Sequence, residues 1–281
     1  MKISPTEHAG PLQPESTPPG QSPLRIVLAD TRQAVRLRRA GGALLIVVLL
    51  CALVLTWAWN ATPSTAHLDT WVQTQTTARH ETYTPINQIA PAMTHALVAI
   101  EDERFYQHHG IDTIGLIRAA WADLRAGRIV EGGSTLTAQL AKNAYLNGYD
   151  HNVPLKLEDL LLAFKIERHY SKSQILDLYL NLVYFGQGAY GINAASERYF
   201  GIPPSRLDVA QAAVLAGLVQ APGLYDPLCH PSLARARQQA VLAHMRADGY
   251  ISRVQERAAM DETIPYWKPG AARPDNVYCA G

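Results

Sequence analysis

PAMTHALVAIEDERFYQHHG, residues Pro91 to Gly110, sets a helix pattern directly against a dense run of charges. Pro91 suits the first turn of a helix, where a missing N–H is no loss. Met93, Leu97, Val98 and Ile100 then recur at helical spacing. The apolar stretch stops at Glu101-Asp102-Glu103-Arg104, and Phe105, His108 and Gly110 follow, so the chain turns promptly after the charges. Four charges at a helix end have a bland reading, a solvated end. They also have a functional one, a carboxylate set in a cleft as an acid or base.

Downstream, the helical pattern continues. Asp112 is placed to cap a helix carrying Ile114, Ile117, Trp121 and Leu124. Lys156 to His169 reads as another, and Ser171 with Gln174 forms a capping-box pattern that starts a fresh helix. Ser205 is expected to open a helix over 206–219, and Ser232 a further one ended by Gly249. Alternating strand patterns are scarce. The fold class predicted is mostly α, with residues 67–265 as one helical domain and 266–281 as a loose tail. Gly186-Gln-Gly188-Ala-Tyr-Gly191 matches G-x-G-x-x-G, but a helix pattern precedes it where a dinucleotide fingerprint needs a strand. A tight helix–helix connection is the better reading.

Upstream, Ala40 to Trp59 holds twenty residues without a charge. At ~1.5 Å per helical residue that run spans ~30 Å, the thickness of a bilayer's hydrocarbon core. Trp57 and Trp59 suit the membrane boundary. Arg32, Arg36, Arg38 and Arg39 stand before the run, and Arg79 is the single arginine in the thirty residues after it. That asymmetry places the N-terminus in the cytoplasm and the bulk of the protein outside. A transmembrane helix over 40–60 is predicted rather than a cleaved signal peptide, whose apolar region is shorter and nearer the N-terminus. Six of the 18 prolines fall in residues 1–23, and residues 1–39 read as a disordered cytoplasmic tail.

Across 281 residues, 25 Lys and Arg balance 24 Asp and Glu, which gives no reason to expect nucleic-acid binding. Cys51, Cys229 and Cys279 lack zinc-site spacing, and no metal-binding residues are predicted. Cys51 falls within the membrane run. In a typical Gram-negative cell Cys229 and Cys279 face an oxidising compartment, where a disulfide between them is a hypothesis.

Two more segments carry candidate chemistry. Glu131-Gly-Gly-Ser134-Thr135 allows close backbone approach and offers hydroxyls at a helix start, a position that favours anions. Gln139, Lys142 and Asn143 follow one turn on. A lysine near a helix start is a poor choice for the dipole, and an anionic ligand is one reason for it. Glu158-Asp159 reads as plain complementation of a helix dipole or as the second carboxylate of a catalytic pair. Together with the membrane run, these point to an anionic, lipid-linked, polyhydroxylated substrate.

The motifs also fit a known family. Glu101-Asp102-x-x-Phe105-x-x-His108-x-Gly110 fits E-D-x-x-F-x-x-H-x-G, and Gly132 to Asn143 fits G-G-S-T-[IL]-T-Q-Q-x-x-K-N. Glu167 to Lys172, Tyr179-Leu180-Asn181, Gly186 to Gly191, and Ala213 to Pro222 continue the match in order. Over roughly residues 85–250 the chain resembles the peptidoglycan glycosyltransferases. These form the lysozyme-like family found as the polymerase domain of class A penicillin-binding proteins and as stand-alone enzymes.

The resemblance implies a lysozyme-like helical domain that polymerises lipid II into β-1,4 glycan strands and releases undecaprenyl pyrophosphate. It implies Glu101 as general base, with Asp102, Phe105 and His108 shaping the site around it. Thr135, Gln139, Lys142 and Asn143 would line the donor side, with Lys142 offsetting pyrophosphate charge, and Ser134 is a further substrate-binding candidate. Residues 112–130 match the membrane-dipping part of such domains.

Three positions depart from the pattern: Ala138 for the motif's first glutamine, Leu155 for an arginine that contacts pyrophosphate, and Asp159 for a glutamate. Lys156 then becomes the replacement contact, and Glu158 the rival to Asp159 as second carboxylate. No certain cofactor is implied, and a divalent cation such as Mg²⁺ is left open. The expected partners are lipid II, the lipid-linked glycan chain, the membrane and other cell-wall synthesis proteins. The expected location is the bacterial inner membrane, single-pass, with the catalytic domain on the periplasmic side. Without S-x-x-K or K-T-G motifs, a monofunctional form is expected. The alternatives are a catalytically weakened scaffold of the same family and a lysozyme-like wall hydrolase.

Overall fold

A computed structural model of the chain describes residues 23–127, 133–145, 153–263 and 279. It divides into two units, residues 1–58 and 59–281. The first unit is the helix α1 (Pro23–Ala61) apart from its last turn. Within it, Val35–Ala61 has a mean hydropathy of 2.5 and is long and apolar enough to cross a membrane. Its Leu and Val side chains are exposed, the pattern of a helix whose solvent is lipid. The helix begins at Pro23, ahead of the tail boundary expected near residue 39. Nothing between Leu24 and Arg39 breaks a helix, since that stretch contains neither Gly nor Pro.

The second unit is helical throughout its described residues, with only two isolated β-bridges. In chain order it holds α2 (Leu68–Ala78), α3 (Pro91–Glu101), α4 (Thr113–Ala126), α5 (Leu136–Tyr145) and α6 (Val153–His169). It continues through α7 (Lys172–Leu182), α8 (Ile192–Phe200), α9 (Val209–Leu218), α10 (Pro231–Ala247) and α11 (Arg253–Asp261). At its centre α9 packs against α3 and α10, while α5 packs against α6 and α7. The sequence of α9, VAQAAVLAGL, is apolar on nearly every face, and accordingly every residue from Ala210 to Leu218 is buried. Its small side chains allow α3 and α10 to approach closely.

Helix starts follow capping chemistry. Ser171 and Gln174 form the expected reciprocal box at α7. The start expected at Ser205 is displaced. A short 3₁₀ turn occupies Pro204–Arg206, and α9 begins at Val209 because Asp208 and Gln211 form a complete capping box. Pro231, in the first turn, opens α10 one residue before Ser232.

Between α7 and α8 the chain reverses in a tight turn. Gly186, Gly188 and Gly191 all have positive φ, as does Gln187 between the first two. A Cβ on Gly191 would lie 2.9 Å from the Asn181 carbonyl oxygen, so glycine is required there on both counts. A helix precedes this turn, which removes the dinucleotide reading.

Asn181 ties α7 to the upstream chain: its side chain accepts from the Thr84 N–H at 2.7 Å and donates to the Thr84 carbonyl at 2.9 Å. Cys229 and Cys279 are joined in a disulfide with Cα atoms 5.4 Å apart.

Candidate active site

Glu101 ends α3 at the bottom of a cleft, its side chain 10% exposed. Gln139 on α5 donates from its side-chain amide to Oε2 at 2.8 Å, and the buried Tyr179 hydroxyl donates to Gln139 Oε1 at 2.6 Å. On the opposite side the Arg237 guanidinium of α10 lies 3.5 Å from Oε1. Three helices thus converge on one carboxylate. Burial pushes its pKa above the usual glutamate value, opposed by Gln139 and Arg237 and reinforced by the neighbouring Asp102 charge. A carboxylate so placed keeps one oxygen oriented by an amide and has raised basicity, which suits proton abstraction from a hydroxyl.

The other residues of the first motif build the floor. His108 Nε2 donates to Asp102 Oδ1 at 2.9 Å, both side chains being buried. Asp102 Oδ2 accepts from the Leu136 N–H at 2.9 Å, at the start of α5. Thr135 donates from Oγ1 to the Gly110 carbonyl at 2.7 Å and accepts from the Ala138 N–H at 3.1 Å, so it caps α5. Phe105 is fully buried beneath, with the Lys172 ammonium 4.3 Å from its ring centre. These groups fix the end of α3 against the beginning of α5. Glu101 and Gln139, on those two helices, are thereby held at bonding distance.

The cleft has two halves that share Ile100, Glu101, Ser134 and Arg237. One, about 440 Å³, is bordered by Arg104, Asp112, Gly115 and Arg118, at the base of α4. Ion pairs run along its wall, Arg104 to Asp112 at 3.2 Å and Arg118 to Glu103 at 2.9 Å. The other, about 800 Å³, is bordered by Gln139, Lys142, Asn143, Tyr179, Tyr184 and Tyr190, with Arg79 at its edge. Beside the first half, α4 exposes Ile114, Ile117, Trp121 and Leu124, an apolar face larger than isolated surface residues would make.

Residues 69–246 match the family described as Transglycosylase. The chain belongs to the transglycosylase family. Among its relatives is a putative transglycosylase of Cupriavidus necator, 44% identical over 65% of this chain and 78% of that protein. Penicillin-binding protein 1F of Bacillus subtilis is 44% identical over 64% of this chain. The chain spans 25% of that relative's length. A crystal structure of penicillin-binding protein 1A from Haemophilus influenzae overlaps 46% of this chain and 16% of its own at a TM-score of 0.32 and 27% identity.

In this chain the residues predicted from sequence do not all meet in one place. Glu101, Asp102, Ser134, Thr135, Gln139, Lys142 and Asn143 border the cleft. Phe105 and His108 support it from below. Glu158 and Asp159, in the second turn of α6, are half-buried and are not among the residues bordering either half. The side chain of Lys156 lies outside the described residues.

Arg237, 3.5 Å from the Glu101 carboxylate, is not among the residues expected from sequence. It lies 136 residues from Glu101 in sequence, within a helix whose pattern RARQQ resembles any solvated face. Arg104, Arg118 and Tyr179 were likewise unassigned. Only the tertiary arrangement of α3, α4, α7 and α10 gives them a role. Glu167, which opens a matching run in the sequence but was given no role there, accepts from Thr137 at 2.7 Å and from Lys172 at 2.6 Å, clamping α5, α6 and α7.

Proposed function

We propose that the chain polymerises lipid II, and the observation that carries this reading is Glu101 at the junction of the two cleft halves. An acceptor sugar in one half and a donor sugar in the other would meet at this carboxylate. The 4-hydroxyl of the acceptor GlcNAc attacks C1 of the donor MurNAc, forming the C1–O4 bond. The bond from C1 to the pyrophosphate oxygen breaks, and undecaprenyl pyrophosphate leaves with the electron pair. The hydroxyl proton passes to Glu101. Attack opposite the leaving group inverts C1 and gives a β-1,4 linkage.

Lys142, in the larger half, offsets charge as it develops on the pyrophosphate. Asp102, Phe105, His108 and Thr135 act as positioning residues by setting the α3–α5 angle. Ser134, Gln139 and Asn143 orient the donor. Glu158 and Asp159 are the two candidates for the second carboxylate, and Lys156 for an additional pyrophosphate contact.

Among the described residues no three His, Cys, Asp or Glu side chains cluster to hold a metal ion, so no step is derived through Mg²⁺. The anchor helix and the apolar face of α4 fit an enzyme whose substrates are both held in a bilayer by their lipids. The arginines before the anchor support a single-pass arrangement with the domain on the outer face of the inner membrane.

The test is incubation of the full chain with lipid II in detergent. Polymer and free undecaprenyl pyrophosphate are expected in step. Release of fragments from purified cell walls with no polymer would instead indicate a hydrolase, and neither product would indicate a scaffold.

A further inference from the structure

The larger cleft half ends in a feature that the chemistry at Glu101 does not use. Tyr184 and Tyr190 flank the glycine turn between α7 and α8, paired by an isolated bridge, with ring centres 4.6 Å apart. Over the Tyr190 ring lies the Arg79 guanidinium, 4.2 Å from its centre. Arg79 follows α2 and is the only Lys or Arg between Arg39 and Arg104. Its backbone is fixed, since its N–H caps α2 through the Gln75 carbonyl at 3.1 Å. The turn is fixed as well. Phe185 donates to the Ala189 carbonyl at 2.9 Å, the Gly188 N–H reaches the Tyr184 hydroxyl at 3.2 Å, and the Gln187 side chain donates to Asp226. Both tyrosines remain more than a third exposed while bordering the cleft.

We propose that Arg79, Tyr184 and Tyr190 form a subsite for a sugar bearing a carboxylate-containing side branch, on the glycan running from Glu101 away from α4. The aromatic pair offers a flat surface of the kind on which the C–H face of a sugar ring rests, with hydroxyls at its rim. With one face of its guanidinium against Tyr190, Arg79 keeps its N–H edges for a bidentate carboxylate. Glu81 is close enough to interact with its charge, but no ion pair of Arg79 with a carboxylate forms among the described residues. The placement separates two anion sites. Lys142, on α5 one turn beyond Gln139, serves the phosphate group, and Arg79, reached from α2, serves the branch. This inference rests on the polymerase reading, in which the muramoyl sugars carry acidic stem peptides.

The experiment compares wild-type full chain with Arg79→Gln and Arg79→Lys on two substrates. One is lipid II with its native stem peptide; the other is lipid II whose peptide carboxylates are converted to carboxamides. On the native substrate Arg79→Gln is expected to raise KM by roughly five- to tenfold, the loss of one partly exposed charged hydrogen-bonded pair, with a much smaller change in kcat. Arg79→Lys, which keeps charge without the fork, should fall between. On the amidated substrate the wild-type-to-variant ratio should fall toward one. An unchanged KM on native lipid II, or an equal loss on both substrates, overturns the subsite.

If the wild type makes no polymer, it is the polymerase reading that has failed. The subsite is then read by equilibrium binding of soluble glycan fragments with and without their peptides. Tighter binding of the peptide-bearing fragment that is lost in Arg79→Gln supports it, and equal binding overturns it.

Discussion

At the residue scale, the proposed base Glu101 takes its character from its surroundings. Its pKa is raised by burial, so the folded state holds a proton more tightly than the unfolded chain does. The stability it contributes is therefore fully present below the unfolded glutamate value and is lost as pH rises through the folded one. At neutral pH the ionised side chain costs stability, and Glu101→Gln is expected to melt no lower than wild type at pH 7. That advantage should shrink in acid, which thermal melts at both pH values would show.

For activity the sign is reversed. As the proposed base, Glu101 must be ionised, so kcat/KM should fall as pH drops through a value above the ordinary glutamate range. Arg237 lowers that value, so Arg237→Gln should move the acid limb to higher pH. A limb that stays put or moves down would remove Arg237 from the base's environment. Glu101 itself was legible in the sequence because the helix pattern stopped at it. Arg237 was not, because its partner lies on another helix and its own segment looks like ordinary surface.

At the element scale, capping residues and exposed faces carry separate consequences. The capping box at α7 was readable from Ser171 and Gln174, and the structure places it as expected. Ser171→Ala should destabilise the domain by about 1 kcal/mol in denaturant unfolding, with little effect on lipid II turnover. The start of α9 was misread because Ser205 offered one capping hydroxyl, whereas Asp208 and Gln211 supply a reciprocal pair three residues on. The apolar pattern of α4 was legible, and its side chains remain exposed beside the smaller cleft half. Ile117→Glu should weaken association of the domain with phospholipid vesicles while leaving the melting temperature within a degree or two. Equal vesicle binding would show that α4 does not face lipid.

For the whole molecule, the disulfide joins residues 50 positions apart, bonding the region beside the Gly186–Gly191 turn to residue 279. Chain-entropy bookkeeping for a loop of this size gives a stabilisation of about 4 kcal/mol as an upper figure. Reduction, or Cys229→Ala with Cys279→Ala, should lower the denaturation midpoint accordingly. The helical class and the anchor were legible because both rest on local periodicity and length. The division of the cleft was not, since it arises where α3, α5, α7 and α10 meet from distant parts of the chain.

The central claim is that one buried carboxylate at the joint of two sugar-binding halves carries the transfer. The most direct measurement is lipid II polymerisation by folded Glu101→Gln protein beside wild type, in the same detergent, with melting temperature as the control. The account predicts polymer from the wild type and a loss of at least about a hundredfold in rate for the variant, in line with removal of a general base. Polymer formed by Glu101→Gln at near wild-type rate would contradict it.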